Sequence, residues 1–92
     1  MKPNYEYPIE LEWTEAEKIA VVTFYQQVEE AYEHGVDKDN LLAAYAAFKE
    51  VVPDKGSERQ YDRAFAEGSG YSTYQAVKAA RSSSGRRVKL RP

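Results

Sequence analysis

Between Thr14 and Gly35, apolar side chains recur at Ile19, Val22, Tyr25, Val28, Ala31 and Tyr32, with Val21 and Phe24 beside them. Steps of three and four residues lay an apolar stripe along an α-helix. Thr14, followed three residues later by Glu17, marks the start. The hydroxyl and the carboxylate each satisfy a backbone donor that the first turn leaves free. Glu15 and Glu17 also suit the positive end of the helix dipole. Gly35, just after His34, marks the end as a left-handed cap. This long helix is expected to be the one on which the others pack.

A second helix opens at Asp37 or Asp39. Leu41, Leu42, Tyr45, Phe48, Val51 and Val52 follow at helical spacing, alanines at 43, 44, 46 and 47 permit close approach, and Pro53 stops it. Ser57 with Gln60 predicts a short third helix, with Tyr61, Ala64 and Phe65 on one face, ending at Gly68. Ser72 with Gln75 opens a fourth that runs to about Ala80, with Tyr74 and Val77 inward. Ahead of the helices, residues 1–13 contain Pro3 and Pro8 and alternate Tyr5, Tyr7, Ile9, Leu11 and Trp13 with polar residues. Alternation without a partner strand reads as an extended arm packed over the helices, anchored by Trp13. From Ser82 onward the chain is polar and cationic, with only Val88 and Leu90 to bury, which predicts disorder. The expected fold class is all-α: a compact array of about four helices, preceded by an extended N-terminal arm and followed by a disordered basic tail. Residues 1–81 form the single helical domain and residues 82–92 the flexible tail.

Composition narrows the chemistry. A chain of 92 residues fits one domain with a modest core. Without cysteine there is no disulfide, no thiolate nucleophile and no cysteine-ligated metal. A small secreted domain usually needs such staples, so a reducing, cytoplasmic location is expected. The first residues carry Lys2, Glu6 and Glu10 and no apolar run, unlike a signal peptide, and no stretch approaches a membrane span. Charge is divided unevenly. Residues 1–80 hold fifteen acidic and eight basic side chains, a balance of −7. Residues 81–92 hold Arg81, Arg86, Arg87, Lys89 and Arg91 and no acid, a balance of +5.

The chemistry-bearing residues do not assemble into a familiar motif. His34 is the only histidine; with Glu30 one turn before it, it reads as a cation paired at a helix C-terminus. Di-metal carboxylate sites want Glu and His three residues apart, from two helices. Asp37-Lys38-Asp39-Asn40 begins like a calcium loop, but Leu41 and Leu42 stand where an oxygen ligand and a glycine are required. Ser69-Gly70-Tyr71-Ser72 lacks the flanking glycines and preceding strand of a nucleophile elbow, and reads as a turn, an N-cap and a docked Tyr71. Phosphate-cradling glycine motifs are absent from the sequence. Glutamates at 10, 12, 15 and 17 form an acidic patch that reads first as a solvated face and second as a surface for a basic partner. The eight tyrosines read mainly as core residues whose hydroxyls reach the surface; the sharper reading places some in a protein interface.

Tyr5 to Trp13 (YEYPIELEW), Phe24 to Glu29 with Ala31-Tyr32-Glu33, Leu41 to Tyr45 with Phe48-Lys49, Val52-Pro53, and Ser69 to Ser72 with Tyr74, Val77 and Lys78 together carry a resemblance. Over residues 4–80 the chain resembles uncharacterised protein family 0223, a family of short bacterial proteins. The resemblance implies about four helices and a cytoplasmic bacterial protein, and it implies no catalytic or binding residue. The tail after Arg81 lies outside it.

These readings converge on a small cytoplasmic, non-enzymatic protein-interaction or regulatory module, with a protein partner or a second copy as the expected partner. No cofactor, metal or catalytic residue is expected. An enzyme would need a carboxylate-only site among Glu29, Glu33, Asp37 and Asp39. The alternative role is weak, salt-sensitive, sequence-independent nucleic-acid binding by Arg86, Arg87, Lys89 and Arg91. The acidic body opposes it, and the tail has no aromatic side chain to stack on a base. A helix-turn-helix reading of the last two helices is weakened because the fourth helix offers chiefly Lys78 and Arg81.

Overall fold

The computed structural model describes residues 5–91. Its elements are, in order, α1 (Glu15–Glu33), β1 (Val36–Asp37), α2 (Lys38–Val51), α3 (Lys55–Ser69), α4 (Thr73–Ser82) and β2 (Arg87–Val88). The chain is an all-α array of four helices with one short strand pairing. Met1 to Asn4 and Pro92, and with them the arm's Pro3, lie outside the described residues.

Each helix begins where a side chain can take up free backbone donors. Thr14 accepts from the Glu17 N–H at 3.1 Å, and Glu17 accepts from the Thr14 N–H at 2.9 Å, completing the capping box. Asp37 caps α2 by accepting from the N–H groups of Asp39 and Asn40. Ser72 caps α4 by accepting from the Gln75 N–H. The third start differs from expectation. Asp54 is the N-cap, accepting from the Ser57 N–H at 2.8 Å, so α3 opens at Lys55 and Ser57 lies inside its first turn. That hydrogen bond holds the Asp54 carboxyl below its ordinary range. Gly35 adopts φ +97° after α1, and Gly70, at φ +82°, ends α3 two residues beyond the predicted Gly68.

The α1 helix packs chiefly on α2, and α4 closes over both. The core is aromatic. Phe24 and Tyr25 of α1, Phe48 of α2 and Phe65 of α3 are fully buried. The Tyr25 and Phe65 rings stack at 4.7 Å, and the Tyr32 and Tyr71 rings at 4.5 Å. Three residues expected inward, Ala64 of α3, Ile19 and Tyr74, are exposed. The buried seam of α1 runs through Val21, Phe24, Tyr25, Val28, Ala31 and Tyr32. At about 100° per residue, Ile19 falls opposite the centre of that seam and is 59% exposed. Tyr74 similarly lies beside the Thr73, Ala76, Val77 and Ala80 seam of α4 and is 63% exposed.

Among the described residues the arm packs over the helices as an extended segment, as expected. Tyr25 donates to the Pro8 carbonyl at 3.0 Å, and Trp13 lies against Tyr61 at 5.4 Å. The basic tail departs from the expected disorder. Val36 pairs with Val88 and Asp37 with Arg87 in an antiparallel register. Val88 is buried, and the Leu90 N–H donates to the Ala31 carbonyl at 2.9 Å. The physical reason lies at the end of α1, whose last carbonyls are unpaired and carry the negative end of the helix dipole. Lys89 reaches the Tyr32 and Glu33 carbonyls and Arg87 the His34 carbonyl, each at 3.4 Å. The tail's charge is therefore part of what seats it.

Candidate functional site

Tyrosine is the most abundant polar aromatic in the chain, and the structure assigns most of it to internal hydrogen bonds. Tyr5 and Tyr7 both donate to Glu29, Tyr61 to Glu10, Tyr71 to Glu33 and Tyr45 to Glu58. Tyr25 donates to Pro8, and the Tyr32 hydroxyl accepts from the Ser72 N–H. Burial and the adjoining carboxylates push the phenols of Tyr7, Tyr45, Tyr61 and Tyr71 up to about 12. Tyr74 stands apart: it is exposed, and its hydroxyl makes no hydrogen bond among the described residues.

Tyr74 stands on the wall of a cleft of about 570 Å³ between α2, α3 and α4. Two cationic rails border it. Lys55 and Arg59 lie one turn apart on α3, and Lys78 and Arg81 follow Tyr74 at helical spacing on α4. The Arg81 guanidinium is held over the Tyr45 ring, 5.4 Å from its centre. Lys49 also lines the cleft, but its ammonium is bound to Glu58 at 2.6 Å. Phe24 and Val77 supply apolar surface, and Asp62 the remaining carboxylate. Five cations against two carboxylates leave the lining at +3 on a body that is otherwise acidic. Asp62 accepts a hydrogen bond from the buried Thr73 hydroxyl. Burial raises its carboxyl above the ordinary range, and the Thr73 bond only partly opposes this. The lining thus favours anions overall, and its one carboxylate outside the Lys49–Glu58 pair, Asp62, is held where burial disfavours the ionised form.

The residues singled out by sequence lie elsewhere. His34 and Glu30 pair at 3.2 Å on the exposed end of α1, as expected for a helix-terminal pair. Glu33 lies within ligand distance of both, yet all three are exposed and Glu33 holds the Tyr71 hydroxyl. Glu29, Glu33 and Asp37, three of the four carboxylates an enzyme would have used, are occupied by tyrosine hydroxyls or the α2 cap. Ser69 is buried, donating to the Phe65 carbonyl and accepting from the Tyr71 N–H, and Ser72 is an N-cap. Arg87 and Lys89 of the tail reach carbonyls at the end of α1, and all four tail cations, Arg86 and Arg91 included, remain exposed. The cleft itself was not foreseen, because its lining is drawn from all four helices, from Phe24 to Ser82. The one legible trace was the Lys78–Arg81 pair.

Among the described residues no helix is long and apolar enough to cross a membrane. The profile described as Uncharacterised protein family (UPF0223) matches residues 4–89 and so takes in β2, which the sequence reading had set outside the resemblance. A UPF0223 protein of Streptococcus thermophilus is 58% identical over 80 residues, covering 87% of this chain and 86% of its own. One of Bacillus pumilus is 51% identical over 78 residues, covering 85% and 88%. One of Lactococcus lactis subsp. cremoris is 48% identical over 88 residues, covering 96% and 95%, and its match extends into the tail. A profile match spanning the four helices and the closing strand, with relatives this similar over nearly their whole length, shows that the chain belongs to the uncharacterised protein family UPF0223.

Proposed function

We propose that this protein is a non-enzymatic interaction module of regulatory role that docks an acidic segment of a partner protein in the cleft between α2, α3 and α4. The observation that carries the reading is one cleft lined by Lys55, Arg59, Lys78 and Arg81 together with the exposed Tyr74, on a body of opposite charge. Tyrosine and arginine are the side chains that most often dominate binding energy at protein interfaces. Opposite charge steers the encounter and sets the register. A lining that combines aromatic and aliphatic surface with five cations suits an extended acidic segment carrying apolar side chains. Weak nucleic-acid binding through Arg86, Arg87, Lys89 and Arg91 has less support, because the body beside them is acidic and two of the four also contact carbonyls at the end of α1. A photo-crosslinking residue in place of Tyr74, introduced in cells, tests the reading. The expected result is crosslinking to peptides rich in Asp and Glu, lost when Arg59 and Lys78 are changed to Glu. Crosslinks to neutral or basic peptides, or crosslinks that survive the charge reversal, would overturn it.

A further inference from the structure

The chain carries a segment complementary to its own cleft. Leu11 is 88% exposed, more than any other large apolar side chain described. It stands at a turn closed by the Trp13 N–H on the Glu10 carbonyl at 3.3 Å. Exposed Glu12 follows it directly, and exposed Glu15 opens α1 four residues on. An apolar knob beside carboxylates is the complement of a cleft lined by Tyr74, Val77 and an excess of cations. Leu11 would meet Tyr74 and Val77, and the glutamates would meet the rails on α3 and α4.

The copy that owns the arm does not use it this way. Its arm is fixed by Tyr25 on Pro8 and by Tyr61 on Glu10 at 2.8 Å. Tyr61 faces the arm, whereas Arg59 and Asp62 line the cleft, so α3 stands between the two surfaces. The complementary pair can be satisfied only between molecules.

We infer that the Leu11 turn of a second copy occupies the cleft, and that this self-association competes with the acidic partner for the same site. The inference rests on the docking reading above and adds its regulation. The contact joins two different surfaces, so it either closes reciprocally in a pair or extends head to tail. It is held by exposed charges and weakens with salt.

Two charge-reversed chains test it by light scattering coupled to size exclusion across a range of protein concentrations. One carries Arg59→Glu with Lys78→Glu in the cleft. The other carries Leu11→Lys with Glu12→Lys in the arm. Circular dichroism confirms that each is folded. The wild-type chain is expected to associate as concentration rises and to dissociate as salt rises. Each reversed chain alone is expected to remain monomeric, and an equimolar mixture of the two to associate again, because every arm then finds a cleft of opposite charge. A wild-type chain that stays monomeric throughout, or reversed chains that associate as well as it does, would overturn the inference. A labelled peptide of alternating Glu and Leu separates the two readings. If it binds the wild-type chain and not the cleft variant while the chain stays monomeric, only self-association falls; if it binds neither, the docking cleft falls with it.

Discussion

Val88 lies directly opposite Val36, and both are buried, so the C-terminal strand is seated on the turn that ends α1. The strand closes a contact between segments separated by most of the chain. Truncating Val88 to Ala removes buried methyl groups at that seat and leaves part of the space unfilled. The expected loss is about 2 kcal/mol, measured by urea unfolding. Arg86→Ala, at an exposed site in the same segment, is the control and should leave the midpoint unchanged. Equal stability of Val88→Ala and the wild-type chain would mean that the strand does not contribute to the fold.

The tyrosine–carboxylate pairs give stability a high-pH limit. Tyr7, Tyr45, Tyr61 and Tyr71 keep their protons up to about 12 in the folded chain, above the ordinary value of 10.0. A group whose folded value is raised contributes fully below its unfolded value and loses that contribution as pH rises through the folded one. Stability should therefore be flat approaching pH 10 and fall between there and about pH 12. Urea midpoints across this interval check it, and Tyr61→Phe should flatten part of the slope. A midpoint that is constant through the interval would count against the pairs.

At Asp62 the same rule gives a cost at neutral pH. Burial raises its folded value, so the ionised form is disfavoured in the folded chain, and the penalty fades as pH falls and the carboxyl protonates. Asp62→Asn keeps an oxygen acceptor for the Thr73 hydroxyl and removes the charge. It should raise the melting temperature at pH 7, with the gain vanishing below about pH 4, near the ordinary carboxylate range. The change also makes the cleft more positive. A lower melting temperature at pH 7 would show that the ionised carboxylate is worth more to Thr73 than burial costs it.

Where a single residue governs a local choice, the sequence was informative. Thr14, Asp37 and Ser72 are caps because their side chains reach free donors two or three residues on, and this requirement involves nothing distant. Asp54 was missed because Pro53 and Gly56 read as a loop, although Asp54 with Ser57 has the same spacing. Side-chain direction was harder. With Ile19, Val21, Val22, Phe24 and Tyr25 all apolar, α1 offers two overlapping stripes, and only the position of α2 selects between them. The tail was misjudged by composition: five cations and two apolar residues suggest disorder unless the carbonyls that Arg87 and Lys89 reach are known. The cleft was illegible for the same reason, since no window along the chain contains both of its rails.

The pairing of β1 with β2 also imposes an order on biosynthesis. Val36 and Ala31 leave the ribosome long before Val88 and Leu90, the residues that cover and bond to them. Until those last positions emerge, the end of α1 keeps its free carbonyls and β1 its open edge. The four helices can gather as they are made, but the end of α1 stays uncovered until Val88 and Leu90 have followed it out.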